Sequence, residues 1–445
     1  MSENNVPMTF DELLEAARKS EGSIFIDAIS VHNLMTNCVN RDEFGNPKTT
    51  TLDGKLRGRV SSQALKRAVR DDKIFQRVVN MICESTQTQG VPDLLLKEAL
   101  KHELKHAETI VPVVVEKAIG PVDKPKKKGG PVKKTRGTLL LGLDEVQKIA
   151  DLMIGAWGEL MVALEKDEQR LAEKAKKAEK AEKAEKVKEG KKSKAKAEKS
   201  DDFRPSLTYI EVGKVAEKIL KSFKGGTRAP NVHLFGRMIT ERPSMNVDGA
   251  CCFAHAISIA PIIYQSDSFT AIDELARSQG DPNYTSMLGS AGFDSSSFYR
   301  FACVDVSALA KVFTKDELEP ILRVLLSLMV RALPEGKKRA YASFTSPSFS
   351  MFVVRRDYPR SLSTAFEGTL KPAKGRSMQD EAVRALDAEF ASVQRRMPGA
   401  AAATVSIAVD CDPKHVDCLN HLAPHQVGGI DEAVEVVTKA ALRLT

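Results

Sequence analysis

The 445-residue sequence predicts an α+β sandwich, a sheet with helices covering one face. Three observations carry that reading. The run SIFIDAISVHN has the β-branched and aromatic content of a buried strand. From about Asp71 to Pro230 the apolar spacing is helical but interrupted, and beyond Pro230 the texture turns to strands alternating with helices. With 42% apolar residues there is chain enough for a large core plus appended parts, so two or three subdomains are expected.

The elements follow in order. Residues 1–22 read as a short appended helix, with Thr9 and Glu12 spaced as a capping box ahead of Leu13, Leu14 and Ala17. After the first strand, Ser61-Ser62-Gln63 supplies an N-cap for a helix carrying Lys66, Arg67 and Arg70. Ile149, Met153, Trp157, Leu160 and Leu164 mark one amphipathic helix. Two polar insertions interrupt this tract. Lys124 to Arg136 (KPKKKGGPVKKTR) reads as a solvated loop, and the Ala-Glu-Lys run from Lys174 to Lys199 as a frayed helix extension, because a period of three cannot keep one apolar face.

Strands are then expected at NVHLFGRM, VDGACCFAHAISIAPIIY and SSSFYRFACVDV, with a Gly-rich loop or hairpin projecting between the last two. A helix spans about Leu318 to Leu333, with Pro320 in its first turn. Another runs from about Met378 to Met397 behind Ser377. A strand follows in which Val405, Ile407 and Val409 alternate.

Charge is informative only locally. The formal net charge of +8 is mostly the Lys174–Lys199 run, whose twelve lysines and five glutamates leave +7. Such a run is expected to extend in solvent as a linker. Between Lys48 and Arg70, however, Lys48, Lys55, Arg57, Arg59, Lys66, Arg67 and Arg70 face only Asp53, and a folded segment that cationic wants a polyanion. Only 6% of residues are aromatic, and Tyr299-Arg300-Phe301 is the nearest imitation of an RNA-stacking strand motif; its alternation is that of a core strand. Cations without stacking rings imply phosphate tracking with little base discrimination.

Other classes are disfavoured. Seven scattered cysteines without a C-x-x-C pair are the usage of reduced thiols, which places the chain in a cytoplasm. No run approaches the roughly 18 apolar residues of a membrane span. Cys411, His415, Cys418, His421 and His425 are zinc-type ligands, but their spacings match no common paired knuckle, so they read as loop and no metal or other cofactor is expected. A nuclease would use His233 or His255, and neither sits beside an obvious base or nucleophile.

As a set, several segments point further. They are the Asn40-Arg41-Asp42 strand exit, the Gly54–Arg67 block, Leu234-Phe235-Gly236-Arg237-Met238, Val247-Asp248-Gly249-Ala250 running into Ala254-His255-Ala256-Ile257-Ser258, Asp267-Ser268-Phe269-Thr270-Ala271 and Phe298-Tyr299-Arg300. In collinear order across residues 23–369, they closely resemble the CasC family, the repeated backbone subunit of the type I-E CRISPR surveillance complex Cascade.

That resemblance implies a modified RNA-recognition, ferredoxin-like palm (23–70, 231–260 and 298–445 with C-terminal elements). It adds helical fingers (71–230, with the insertions 124–136 and 174–199) and a protruding thumb hairpin (261–297). On it, Lys48, Lys55, Arg57, Arg59, Ser61, Gln63, Lys66, Arg67 and Arg70 hold guide RNA, joined by Lys337, Lys338 and Arg339. Met238 and Phe269 occupy the positions of wedges beside a displaced nucleotide, although either alone would read as core. The implied partners are guide RNA, a target DNA strand paired to it, further copies of the chain and other Cascade subunits, with no membrane and no catalysis. The sequence departs from the family pattern at Leu56, where relatives often keep a basic residue. It also departs in residues 1–22 and in the two lysine-rich insertions. The rival readings are a ferredoxin-like CRISPR endoribonuclease and a general single-strand coating protein.

Overall fold

The computed structural model describes residues 23–123, 134–186, 205–223, 225–372, 374–397, 403–409 and 419–445. The expected N-terminal helix, most of the first insertion, the end of the second and the run 411–418 lie outside them. The chain divides into two compact units, one of Met1–Val78 with Ala250–Thr445 and one of Val79–Gly249. No helix among the described residues is long and apolar enough to cross a membrane.

The first unit opens with β1 (Phe25–Asn37), β2 (Thr49–Leu52), β3 (Lys55–Val60) and α1 (Ser62–Arg70). The β2–β3 turn is Asp53-Gly54, at φ 49° and 68°; a two-residue hairpin turn of the I′ kind needs both residues left-handed, which Gly adopts freely and Asp tolerates. The Ser61 side chain accepts from the Ala64 N–H and so caps α1, as its sequence predicts.

The second unit holds β4 (Ser85–Thr88), α2 (Val91–Lys101), α3 (Ala107–Ala118), β5 (Leu139–Gly142), α4 (Leu143–Gly155), α5 (Trp157–Lys186) and α6 (Ile210–Leu220). Ile149, Met153, Trp157, Leu160 and Leu164 are all in its core, but not on one helix. The chain turns at Ala156 (φ −106°, ψ 16°), and the apolar period carries across the break. NVHLFGRM is likewise not a strand, because Pro230–Phe235 forms a short helix with Pro in its first turn, where the missing N–H has no consequence.

The first unit resumes with β6 (Cys251–Phe253), β7 (Ala256–Ser258), β8 (Gln265–Ile272), β9 (Thr285–Asp305), α7 (Lys315–Arg331), β10 (Phe349–Arg355), α8 (Met378–Arg396), β11 (Thr404–Val409) and α9 (Ile430–Leu444). Thr314 and Glu317 form a reciprocal capping box that starts α7 three residues before Leu318, with Pro320 inside the helix. Ser377 caps α8 in the same manner.

The main sheet runs β11-β10-β1-β9-β7-β3-β2, with β6 and β8 also paired to β9, and every pairing is antiparallel. β9 is its spine. The first part of this 21-residue strand pairs only with β8, and the rest joins β1, β6 and β7.

Helices cover both faces of the sheet, not one as the sequence suggests. Ile29, Val31, Met351, Val353 and Ile407 pack against Val383, Leu386 and Phe390 of α8. On the opposite face Arg300 meets the end of α7, and α9 packs over β10 and β11. The unbroken burial of β1 from Ile26 to His32 is what a strand covered on both sides shows. Asp27 within it accepts from Arg355 Nε at 2.6 Å and from the Arg360 backbone N–H at 3.0 Å.

Candidate nucleic-acid interface

The cations of the Lys48–Arg70 segment do not form one surface. Strand alternation puts Lys55, Arg57 and Arg59 on the face of β3 opposite Gly58 and Val60. Val60 packs with Leu65 of α1, together with Leu34 and Phe298. The cations of β3 and those of α1 therefore stand on opposite sides of the sheet. Gly58 is required there, since a Cβ would come 2.9 Å from the Asp294 carboxylate and 3.2 Å from the Phe298 ring.

Arg57 is placed unlike the other cations of the segment. Its side chain is 0% exposed, and Nη1 donates to the Ser258 carbonyl at 3.1 Å and Nη2 to that of Phe366 at 3.5 Å. Burial lowers its affinity for the proton, against the pull of Asp53. So placed, Arg57 ties β3 to β7 and to the 363–366 turn. Arg59 is half-buried, whereas Lys55 is exposed, with Nζ 2.5 Å from Thr369 Oγ1. Lys48 is half-buried; its carbonyl accepts from the Arg59 N–H at 2.8 Å, which fixes the loop to β3.

On the other side, Arg67 does meet the second predicted cluster. A groove of about 820 Å³ is lined by Arg41, Arg67, Lys73, Arg331, Lys338 and Arg339 against Asp71, Asp72 and Glu335, an excess of three positive charges. Gln63 is exposed on α1, and Arg70, half-buried, lies 4.0 Å from Asp71. Lys66 is near Cys251 and Cys252 of β6 and acts electrostatically on both thiols.

The loop bearing Lys337, Lys338 and Arg339 is positioned by two devices. Buried Arg300 donates to the carbonyls of Met329 (2.9 Å), Val330 (2.7 Å) and Ala332 (2.8 Å), so it caps the end of α7 where a cation also suits the helix dipole. Burial lowers its pKa to about 10. Beyond it Gly336 lies against the Val39 backbone so closely that a Cβ would be 2.4 Å from the Val39 oxygen. Lys337 is half-buried with φ 42°; Lys338 sits 5.5 Å above the ring of Phe344, which is 67% exposed.

Lys73, Arg331 and Phe344 were not singled out from the sequence, and Arg41 entered only as part of the strand exit. They come from separate segments and converge only in the fold. Tyr299 and Phe301, by contrast, pack in the α8-side core and are not stacking platforms.

In the second unit the Gly236-Arg237-Met238 segment has a definite construction. Arg237 is enclosed and forms a two-pronged pair with Glu145, Nη1–Oε2 at 2.6 Å and Nη2–Oε1 at 2.9 Å, and Nε donates to the Met245 carbonyl at 2.9 Å. Gly236 (φ 77°) and Gly249 touch backbone to backbone, with no room for a Cβ on either. Held on both sides, the loop turns Met238 outward, 80% exposed.

The β8–β9 hairpin is as unprotected. Phe269 lies across from Gly289 and covers the space a Cβ would fill there. It is 44% exposed, and Leu288, Leu275 and Met287 on the same hairpin are more exposed still. Neither Met238 nor Phe269 is core, although apolar residues near strand ends usually are.

Of the nuclease candidates, His233 is on the short helix, with Nε2 2.8 Å from the Thr227 carbonyl, and His255 lies between β6 and β7 of the other unit. Cys411, His415 and Cys418 are outside the described residues, and the His421 backbone N–H donates to Asp387.

The chain belongs to the CT1975-like protein family, whose model matches residues 26–435. No curated protein matches it. Among solved structures, a chain of a "CRISPR RNA-guided surveillance complex, pre-nicking" is similar at a TM-score of 0.68 and 23% identity, over 94% of this chain and 100% of that one. A chain of a "CRISPR RNA-guided surveillance complex" is similar at 0.58 and 20%, over 94% and 99%. These likenesses establish a shared fold along nearly the whole length.

Proposed function

We propose that this chain is a non-catalytic, cytoplasmic backbone subunit of a type I-E Cascade complex that oligomerises along guide RNA and presents it for pairing with a target DNA strand. The observation that carries the proposal is the convergence of Arg67, Lys338 and Arg339 with Arg41, Lys73 and Arg331 in one groove, within a chain whose fold is similar over 94% of its length to a chain of a surveillance complex. A subunit that accepts any guide sequence reads phosphate, sugar and shape, and leaves sequence to base pairing.

On this reading the first unit supplies the palm and, through β8 and β9, the thumb; the second supplies the fingers. Lys55, Arg59, Lys66, Arg67, Arg70, Lys338 and Arg339 hold phosphates. Met238 and Phe269 wedge between nucleotides and relieve the strain of a long duplex wound on protein. Other polypeptides cut the target.

The test is binding to single-stranded RNAs of increasing length, read by native mass measurement. Stepwise addition of subunits with length is expected. One subunit per RNA regardless of length, or cleavage of labelled guide precursor that is lost in His255→Ala, would overturn the proposal.

A further inference from the structure

Cys252 of β6 and Cys303 of β9 are register partners in the sheet of the first unit. The flanking bonds, Asp305 N–H to the Ala250 carbonyl and Ala254 N–H to the Phe301 carbonyl, are both 2.9 Å and fall two residues to either side. That parity makes 252/303 a hydrogen-bonded pair of the ladder, with Cα atoms about 5.5 Å apart. A disulfide spans about 4.4–6.8 Å between Cα atoms, which this separation meets, and closing it draws together Cβ atoms that a hydrogen-bonded pair holds about 5.5 Å apart.

The two thiols differ as an attacking and a resolving cysteine must. Cys252 is exposed, whereas Cys251 and Cys303 are buried, so a single sulfur of the three is open to a reagent. The hydrogen bond from Cys303 brings Cys252 down to about 6; burial opposes it, Lys66 of α1 assists and Asp305 opposes. The same hydrogen bond, with burial and the nearby charges of Cys252 and Asp27, pushes Cys303 up. An exposed thiolate backed by a second thiol within reach is the arrangement that thiol–disulfide exchange uses.

We propose that Cys252 and Cys303 are a redox modification site, closing to a reversible cross-strand disulfide by exchange with a low-molecular-weight disulfide such as oxidised glutathione. The Cys252 thiolate attacks one sulfur of the external disulfide, whose S–S bond breaks and releases one thiolate, leaving a mixed disulfide on Cys252. Cys303 gives its proton to solvent and its sulfur attacks that of Cys252, releasing the second external thiolate. Two protein thiols and one external disulfide become one protein disulfide and two external thiols. The exchange needs no nucleic acid and stands apart from the proposed function.

The test is to treat the full chain with oxidised glutathione across a pH series, quench with acid, and map the products by mass spectrometry. The expected product is lighter by two hydrogens, carries a 252–303 cross-link and is restored by dithiothreitol. Its rate has a midpoint near pH 6, in place of the roughly 8.5 of a free cysteine. Cys303→Ser stops at a stable glutathione adduct on Cys252, Cys252→Ser leaves Cys303 untouched, and Lys66→Met moves the midpoint upward. A wild-type adduct that never closes, a cross-link to another cysteine, or no reaction at Cys252 at pH 7 would each overturn the proposal. Should a variant fail to fold, the wild-type map decides alone.

Discussion

Neutralising Lys66 and Arg67 together, as Lys66→Gln/Arg67→Gln, separates phosphate contacts from fold contacts when set beside Arg57→Met. Arg67 is paired with Asp71 at 3.0 Å, but the two side chains are 76% and 53% exposed. An exposed pair of this kind is worth about 0.2–1 kcal/mol, so it yields readily to a phosphate and its loss hardly touches folding. Each phosphate contact on a single strand contributes about 0.7 to the slope of log K against log salt, so the double variant flattens that slope by about 1.4. Arg57→Met does the reverse. It leaves the Ser258 and Phe366 carbonyls without a buried donor, which costs about 1–3 kcal/mol of stability, and the salt slope stays where it was. The assay is RNA binding by fluorescence anisotropy from low to moderate salt, with urea unfolding of each variant. An unchanged slope in the double variant, or a lower slope in Arg57→Met, would refute the assignment of the two groups.

The other expectations follow from single sites. Glu145→Ala leaves the guanidinium of Arg237 buried without its partner and lowers stability by about 3–5 kcal/mol in denaturant titration, whereas Glu145→Gln loses less. Met238→Ala and Phe269→Ala change stability by under about 0.5 kcal/mol, because both side chains are exposed, yet weaken pairing of bound guide with complementary DNA in a gel-shift assay. Burial pushes Asp294 up from 3.8 to about 6, opposed by the Asn37 amide that donates to it. Its folded pKa lies above its unfolded one, so the folded state holds the extra proton and this contribution to stability is lost as pH rises from about 4 to 6. Asp294→Asn therefore gains up to about 3 kcal/mol at pH 7.5, at about 1.4 kcal/mol per pKa unit, and nothing at pH 4. Thermal melts at the two pH values check the sign.

What was legible in the sequence was local. The cap at Ser61, the cap of α8 at Ser377 and the burial of β1 are set by residues within a few positions of one another, and each is found. The helix at Pro230–Phe235 was hidden because a run of six residues cannot tell a buried helix from a strand. The turn at Ala156 was hidden because apolar spacing continues through it. For the interface, the Lys48–Arg70 cluster and the Lys337–Arg339 cluster were visible as charge. Their sorting was not: the enclosure of Arg57 depends on Ser258 and Phe366, and the groove at Arg67 on Arg41 and Arg331, all set by tertiary packing. The exposure of Met238 likewise follows from Glu145, more than ninety positions away in the chain, gripping Arg237.

The most direct measurement is to purify the chain with whatever nucleic acid it carries from a cell with an active CRISPR array, and to sequence that nucleic acid. A sequence-blind cationic groove repeated along a guide predicts discrete RNAs of one length class, each a spacer flanked by repeat-derived ends. A continuous spread of host transcripts, or DNA and RNA recovered alike, would contradict it.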